Sequence, residues 1–136
     1  MSGIPVAEPV IETPVLDRLR ARFPQYREPA YLFVLCALEH TIREVVNEPR
    51  HVTGAELAEG CRRLALARFG PLARAVLAYW GVHSTEDLGE VVFALVECGV
   101  LRANDDDQLT DFDGLFDFEE VFERNYPWAA PATLAG

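Results

Sequence analysis

Apolar residues recur along this chain at helical spacing, in runs punctuated by glycine and proline. Val15, Leu16, Leu19 and Phe23 share one face of a helix predicted over 14–23. Thr13 is its N-cap and Pro14 its first residue, and Pro24 ends it. Over 28–46 the stripe Tyr31, Leu35, Leu38 and Ile42 is widened by Leu32, Val34, Cys36 and Val45. A helix apolar over so wide an arc is predicted to be central and packed on more than one side. Thr53 and Glu56 have capping-box spacing and open a helix over 54–69 with Leu57, Cys61, Leu64, Ala65 and Phe69 inward. Just before it, 51–53 reads as a very short strand.

Gly70-Pro71 breaks that helix and starts the next, over 72–80, which is predicted to bury Leu72, Val76, Leu77 and Trp80. Gly81 and Gly99 stand where C-terminal caps want positive φ. Between them Ser84 and Asp87 resemble a capping box, and Leu88, Val91, Val92, Leu95 and Val96 form the buried face of a helix over 85–98. Residues 100–103 and 108–112 flank Asn104-Asp105-Asp106-Asp107, a pattern that predicts a β-hairpin with an acidic tip. Phe116, Phe118, Val121 and Phe122 predict a short helix at about 117–125 that lays its aromatics on the core. The expected organisation is an extended arm over 1–13, one domain over 14–126 and a tail over 127–136. The expected class is mainly α: a helical bundle with a helix–turn–helix and a small two-stranded β-hairpin.

Composition narrows the picture. Half of the 136 residues are hydrophobic, which argues against a disordered chain, and the length suits one domain with its own core. No apolar stretch is long enough to span a membrane. The first residues have no basic start and no long apolar run, so they do not read as a secretory signal, and a cytoplasmic protein is expected. Cys36, Cys61 and Cys98 are isolated and sit in apolar runs, so they read as reduced, packed thiols and not as metal ligands.

Charge is unevenly spread. There is no lysine; all twelve basic residues are arginine. Residues 1–85 carry ten arginines and nine acids, whereas 86–123 carry thirteen acids and only Arg102. Two surfaces follow. Glu86, Asp87 and Glu90 at the start of the fifth helix, with Asp105, Asp106 and Asp107 at the hairpin tip, make an acidic face suited to a basic partner. Arg62, Arg63, Arg68 and Arg74 make an alternative basic face.

The run LGEVVFALVECGVLRANDDDQLTDF, through Leu95, Gly99, Val100 and Leu101, is similar to the end of winged-helix domains, where the recognition helix leads into the wing. The turn 81–83 departs from the tightest helix–turn–helix spacing. The stretches AYLFVLCALEHT, HVTGAEL and FGPLARAVLAYWGVHSTEDLGEVVFALVECGVL resemble a family of short uncharacterised bacterial proteins, over about 28–122. That resemblance implies no activity.

DNA reading in the usual winged-helix manner is disfavoured, because the equivalent helix and wing offer carboxylates where phosphate contacts need cations. Nucleic acid would have to use the arginine face. No G-x-S-x-G, P-loop, G-x-G-x-x-G or H-E-x-x-H occurs, and His40, His51 and His83 have no evident partners, so no enzyme and no cofactor is expected. The aspartates around 105–117 do not follow EF-hand spacing, and no dedicated metal site is expected. The expectation is a non-enzymatic adaptor or regulator that binds another protein, or a second copy of itself, through the acidic face.

Overall fold

A computed structural model of the chain describes residues 10–46, 52–103 and 107–124. Five α-helices follow one another: α1 (Thr13–Arg22), α2 (Glu28–His40), α3 (Gly54–Phe69), α4 (Ala73–Tyr79) and α5 (Thr85–Glu97). A π-helical turn, Thr41–Val46, prolongs α2, and 3-10 turns form at Gly70–Leu72 and Leu109–Phe112. A second π-helical turn, Glu120–Arg124, closes the described chain.

The helices start and stop where local chemistry requires. At the head of α3 the Glu56 N–H donates to Thr53 Oγ1 at 3.2 Å, and the Thr53 N–H donates back to Glu56 Oε1 at 3.0 Å. This reciprocal pair satisfies two otherwise orphan donors. Ser84 Oγ accepts the Asp87 N–H at 3.2 Å and opens α5. Gly81 and Gly99 close α4 and α5 at φ +95° and +82°, a region that side chains strain to enter. At the head of α1 the N-cap position falls on Glu12, without a side-chain cap, and Thr13 is the first helical residue.

α2 lies at the centre of the bundle. Ala30, Tyr31, Phe33, Val34 and Ala37 are buried, and both α3 and α5 pack on this helix. Gly60 of α3 allows the closest approach: a Cβ there would overlap Oγ1 of the fully buried Thr41. That hydroxyl donates to the Ala37 carbonyl at 2.6 Å. Phe33, Phe69 and Trp80 cluster with ring centroids 5.6–6.0 Å apart and tie α2 to the end of α3 and to α4. α1 caps the far end of α5: Arg18 donates to the Cys98 carbonyl at 3.3 Å, and Arg22 pairs with Glu97 at 2.8 Å.

The expected β-hairpin is not there. Among the described residues there is no β-strand at all. Residues 100–103 run without regular structure, and 109–112 form a 3-10 turn. Asp111 explains the difference: its carboxylate accepts the Gln108 N–H at 3.0 Å, while its own N–H donates to the Gln108 carbonyl at 3.0 Å. Those bonds use the groups a strand ladder would need. The very short strand at 51–53 is also missing over its described residues, Val52 and Thr53. Leu72, expected inside, is 64% exposed, because the 3-10 turn before α4 rotates it outward. The terminal helix expected at 117–125 is a brief helical start that passes into the π-helical turn Glu120–Arg124, with Phe118 and Phe122 buried. The arm over 1–13 and the tail over 127–136 lie almost wholly outside the described residues.

Candidate interaction site

The turn Leu109–Phe112 is positioned by its last residue. Phe112 is buried in a slot between the head of α3 and the middle of α5. Both walls of the slot are glycines, Gly54 and Gly89. The backbone that follows is tied to the head of α5. The Gly114 N–H donates to Glu86 Oε2 at 3.0 Å, and the Leu115 N–H donates to Oγ1 of the fully buried Thr85 at 3.2 Å.

Beside that turn is a cavity of about 200 Å³. The π-helical turn supplies Ile42, α2 supplies Leu38, and α3 with the residue before it supplies Thr53, Gly54 and Leu57. α5 supplies Val92, Phe93 and Val96. These apolar side chains are mostly half-buried, so the outer flank of α5 remains partly uncovered. The rim is polar and carries Arg102, Asp107, Gln108 and Asp111. A π-helical turn within a helix often marks a functional wall, and here it forms one side of the cavity.

The acids expected to form one contact face divide into two groups. Glu86, Asp87 and Glu90 lie at the head of α5 and are engaged within the chain. Glu86 holds Gly114, and the backbone hydrogen bonds at the helix start, its own first and that of Gly114 second, lower its pKa. Asp87 Oδ2 accepts the His83 N–H at 2.8 Å. Asp87 Oδ1 and Glu90 Oε1 converge on the buried phenol of Tyr26, at 2.8 and 2.6 Å. Burial, and after it the hydrogen bonds to Glu90 and Asp87, raise the pKa of that phenol. Asp107 belongs to the second group, on the cavity rim with Asp111; Asp105 and Asp106 lie outside the described residues.

The arginine face is largely neutralised. Arg62 and Arg63 share Glu59, at 2.6 and 2.8 Å. The Arg62 hydrogen bond leads the effects that hold Glu59 down at about 2. Arg74 pairs with Glu123 at 2.7 Å, which raises its pKa. Arg68 is exposed at the end of α3 and has no ion pair among the described residues.

Among the three thiols, Cys61 is buried and pushed up to about 12 by that burial, Cys98 is buried, and Cys36 is half-buried. No group of three or more His, Cys, Asp or Glu side chains among the described residues could hold a metal ion. Among the same residues, no helix is long and apolar enough to cross a membrane.

Comparison of the chain with protein-family profiles, curated proteins and solved structures returns no match. Residue roles therefore rest on the chain's own geometry.

The cavity was hidden in the sequence by a period that looked complete. Val92 and Val96 fit the apolar stripe of α5 and read as core, yet the bundle leaves them half-covered. The signals that could have pointed to it are Gly54 and Gly89, two small residues within helices that make room for a side chain from elsewhere.

Proposed function

We propose that the protein is a non-enzymatic adaptor or regulator that binds a basic protein partner through its acidic side. The observation that carries this reading is the position of Asp107 and Asp111 on the rim of a partly uncovered apolar cavity. Asp113, exposed, follows directly. A recognition surface needs both ingredients: apolar area to exclude water and charge to steer and select.

The pairing of the arginines favours a different protein over nucleic acid or a second copy of this chain. Arg62, Arg63 and Arg74 already face carboxylates, and so offer little to phosphate or to another copy's acidic side.

The test is capture from host lysate on immobilised wild-type protein and on Asp113→Lys, with nuclease present. Asp113 is chosen because it is exposed, whereas Glu86 and Glu90 hold Gly114 and Tyr26 and their replacement would disturb the fold. A basic protein retained by the wild type, released by salt and lost from the variant supports the reading. Equal retention by both proteins, or a complex that disappears with nuclease, contradicts it.

A further inference from the structure

We infer that the outer side of α4 is a docking strip for this chain's own residues 125–136, with Trp128 as the anchor. The inference is independent of the partner reading above.

α4 lacks the polar face of a surface helix. From Leu72 to Trp80 the sequence is LARAVLAYW, with Arg74 its only charged residue. Ala73 and Leu77 are buried on the inner side. On the outer side Leu72 is 64% and Tyr79 68% exposed, with Ala75 exposed and Val76 half-buried between them. Positions 72, 75, 76 and 79 have i, i+3, i+4 and i+7 spacing, so they form one strip about 10 Å long. A single exposed leucine is ordinary. An apolar strip on a helix without a polar face marks a surface that something covers.

The chain itself arrives at this place. Glu120–Arg124 packs on α4 and on the turn Gly70–Leu72, and Arg74 Nη1 donates to Glu123 Oε1 at 2.7 Å. Arg124, the last described residue, therefore stands beside the strip. The next twelve residues, NYPWAAPATLAG, carry no charge, although 86–123 is the most acidic part of the chain. Trp128 is four residues beyond Arg124 and reaches up to about 14 Å from it, enough to meet the strip. Tyr126 and Leu134 add apolar area, and Pro127 and Pro131 lower the entropy lost when the segment is held.

Charge and concentration favour this occupant. The ions around the strip are of both signs: the Arg27 guanidinium lies over the Tyr79 ring at 4.3 Å, and Arg74 is paired with Glu123. An uncharged segment leaves them undisturbed. A second copy would bring a further net charge of -10, and the two would repel. A segment tethered at Arg124 acts at an effective concentration of about millimolar, an advantage that a separate partner lacks.

The test is acrylamide quenching of Trp128 in the full chain. Its emission is the difference between each protein and the same protein carrying Trp128→Phe, which leaves Trp80 as the remaining tryptophan. The proteins are wild type, Ala75→Arg, Tyr79→Asp and, as a control, Leu109→Asp at an exposed apolar site on another turn. Ala75→Arg sets a charge in the middle of the strip with a good helix former. It decides the matter if Tyr79→Asp, which also loses the Arg27 contact, does not fold. The expected result is a Trp128 shielded in the wild type and the control. In both strip variants it should become as quenchable as tryptophan in a free peptide, and dilution of the wild type should change nothing.

Full quenching in every protein would overturn the inference. Shielding that survives both strip variants would put Trp128 elsewhere and overturn the α4 site, as would release in Leu109→Asp as well. Shielding lost on dilution would assign the cover to a second copy and overturn the contact within one chain.

Discussion

Phe112 lies so close to Gly89 that a Cβ added to the glycine would stand 2.8 Å from its ring Cδ2 and 2.9 Å from its Cβ. This is where the turn carrying Asp111 locks onto α5. Glycine inside a helix ordinarily forfeits about 1 kcal/mol relative to alanine, and here the close packing of Phe112 offsets that loss. Gly89→Ala should therefore destabilise the protein by up to about 2 kcal/mol, the overpacking penalty less the helix gain. Turning the ring cannot relieve the clash, because the Phe112 Cβ is itself in contact. Phe112→Ala alone should cost about 3–5 kcal/mol. The double variant should lose clearly less than the two together, since the glycine has then nothing to accommodate. Denaturant unfolding of the four proteins measures the coupling. An additive result would show that the turn does not depend on this slot.

The phenol of Tyr26 makes alkaline stability a second test. Its pKa is raised in the folded chain, and burial pushes that of Tyr31 up to about 12, while an unfolded tyrosine titrates near 10. Because both folded values lie above the unfolded one, the stabilisation is fully present below pH 10. It is lost as pH rises, through about 12 for Tyr31, with Tyr26 adding to the same loss. Phenolate absorbance from Tyr26 and Tyr31 should rise in step with unfolding. Tyr26→Phe should weaken the fold by about 1–2 kcal/mol at neutral pH, by removing the donor that Asp87 and Glu90 share. It should also flatten the alkaline limb. An unchanged alkaline profile would mean that the phenol and its two carboxylates are solvated.

The elements that were legible in the sequence are those fixed by neighbours in the chain. Thr53 and Glu56 announce α3, and Gly81 and Gly99 end their helices, because a cap is a matter of three or four residues. The failures involve competition over distance. Asn104 to Asp107 carries the residues of a hairpin tip, but Asp111 turns back to bond Gln108, and Phe112 finds its slot on α5. No local rule weighs a distant glycine slot against a nearby turn signal. The acids were legible as charge but not as partners: nothing near Glu90 in sequence foretells Tyr26, 64 positions away. Val92 and Val96 obey the helix period perfectly well. Whether another element covers them is decided by the course of the chain after Gly99.

Glu59 predicts the acid limb. It is held down at about 2, chiefly by the hydrogen bond from Arg62, against an ordinary value of 4.5. A depressed folded value means that the stabilisation is present above pH 4.5 and disappears as pH falls through about 2. The carboxylate is about one-third exposed, so solvent screens both pairs, and Glu59→Gln should cost less than about 1 kcal/mol at pH 7. Its effect should shrink to nothing at the acid end. Chemical denaturation across pH 2–6 reads both, and an equal deficit at every pH would assign the loss to packing instead of charge.

Thiol reactivity probes the same core without a substitution. The Cys61 thiol is buried on α3 and pushed up to about 12, so at neutral pH it is neither ionised nor reachable. Cys98 is buried at the end of α5, whereas Cys36, half-buried on α2, is the most accessible of the three. A disulfide reagent at pH 7.5 should therefore modify Cys36 first. Cys61 should react at the rate at which the bundle opens, and that rate should rise in Gly89→Ala as its stability falls. Mass spectrometry of digests taken along the time course assigns each site. Rapid labelling of Cys61 in the wild type would mean that the packing of α3 on α2 at Gly60 and Thr41 opens locally, and the bundle would then be held chiefly by α5.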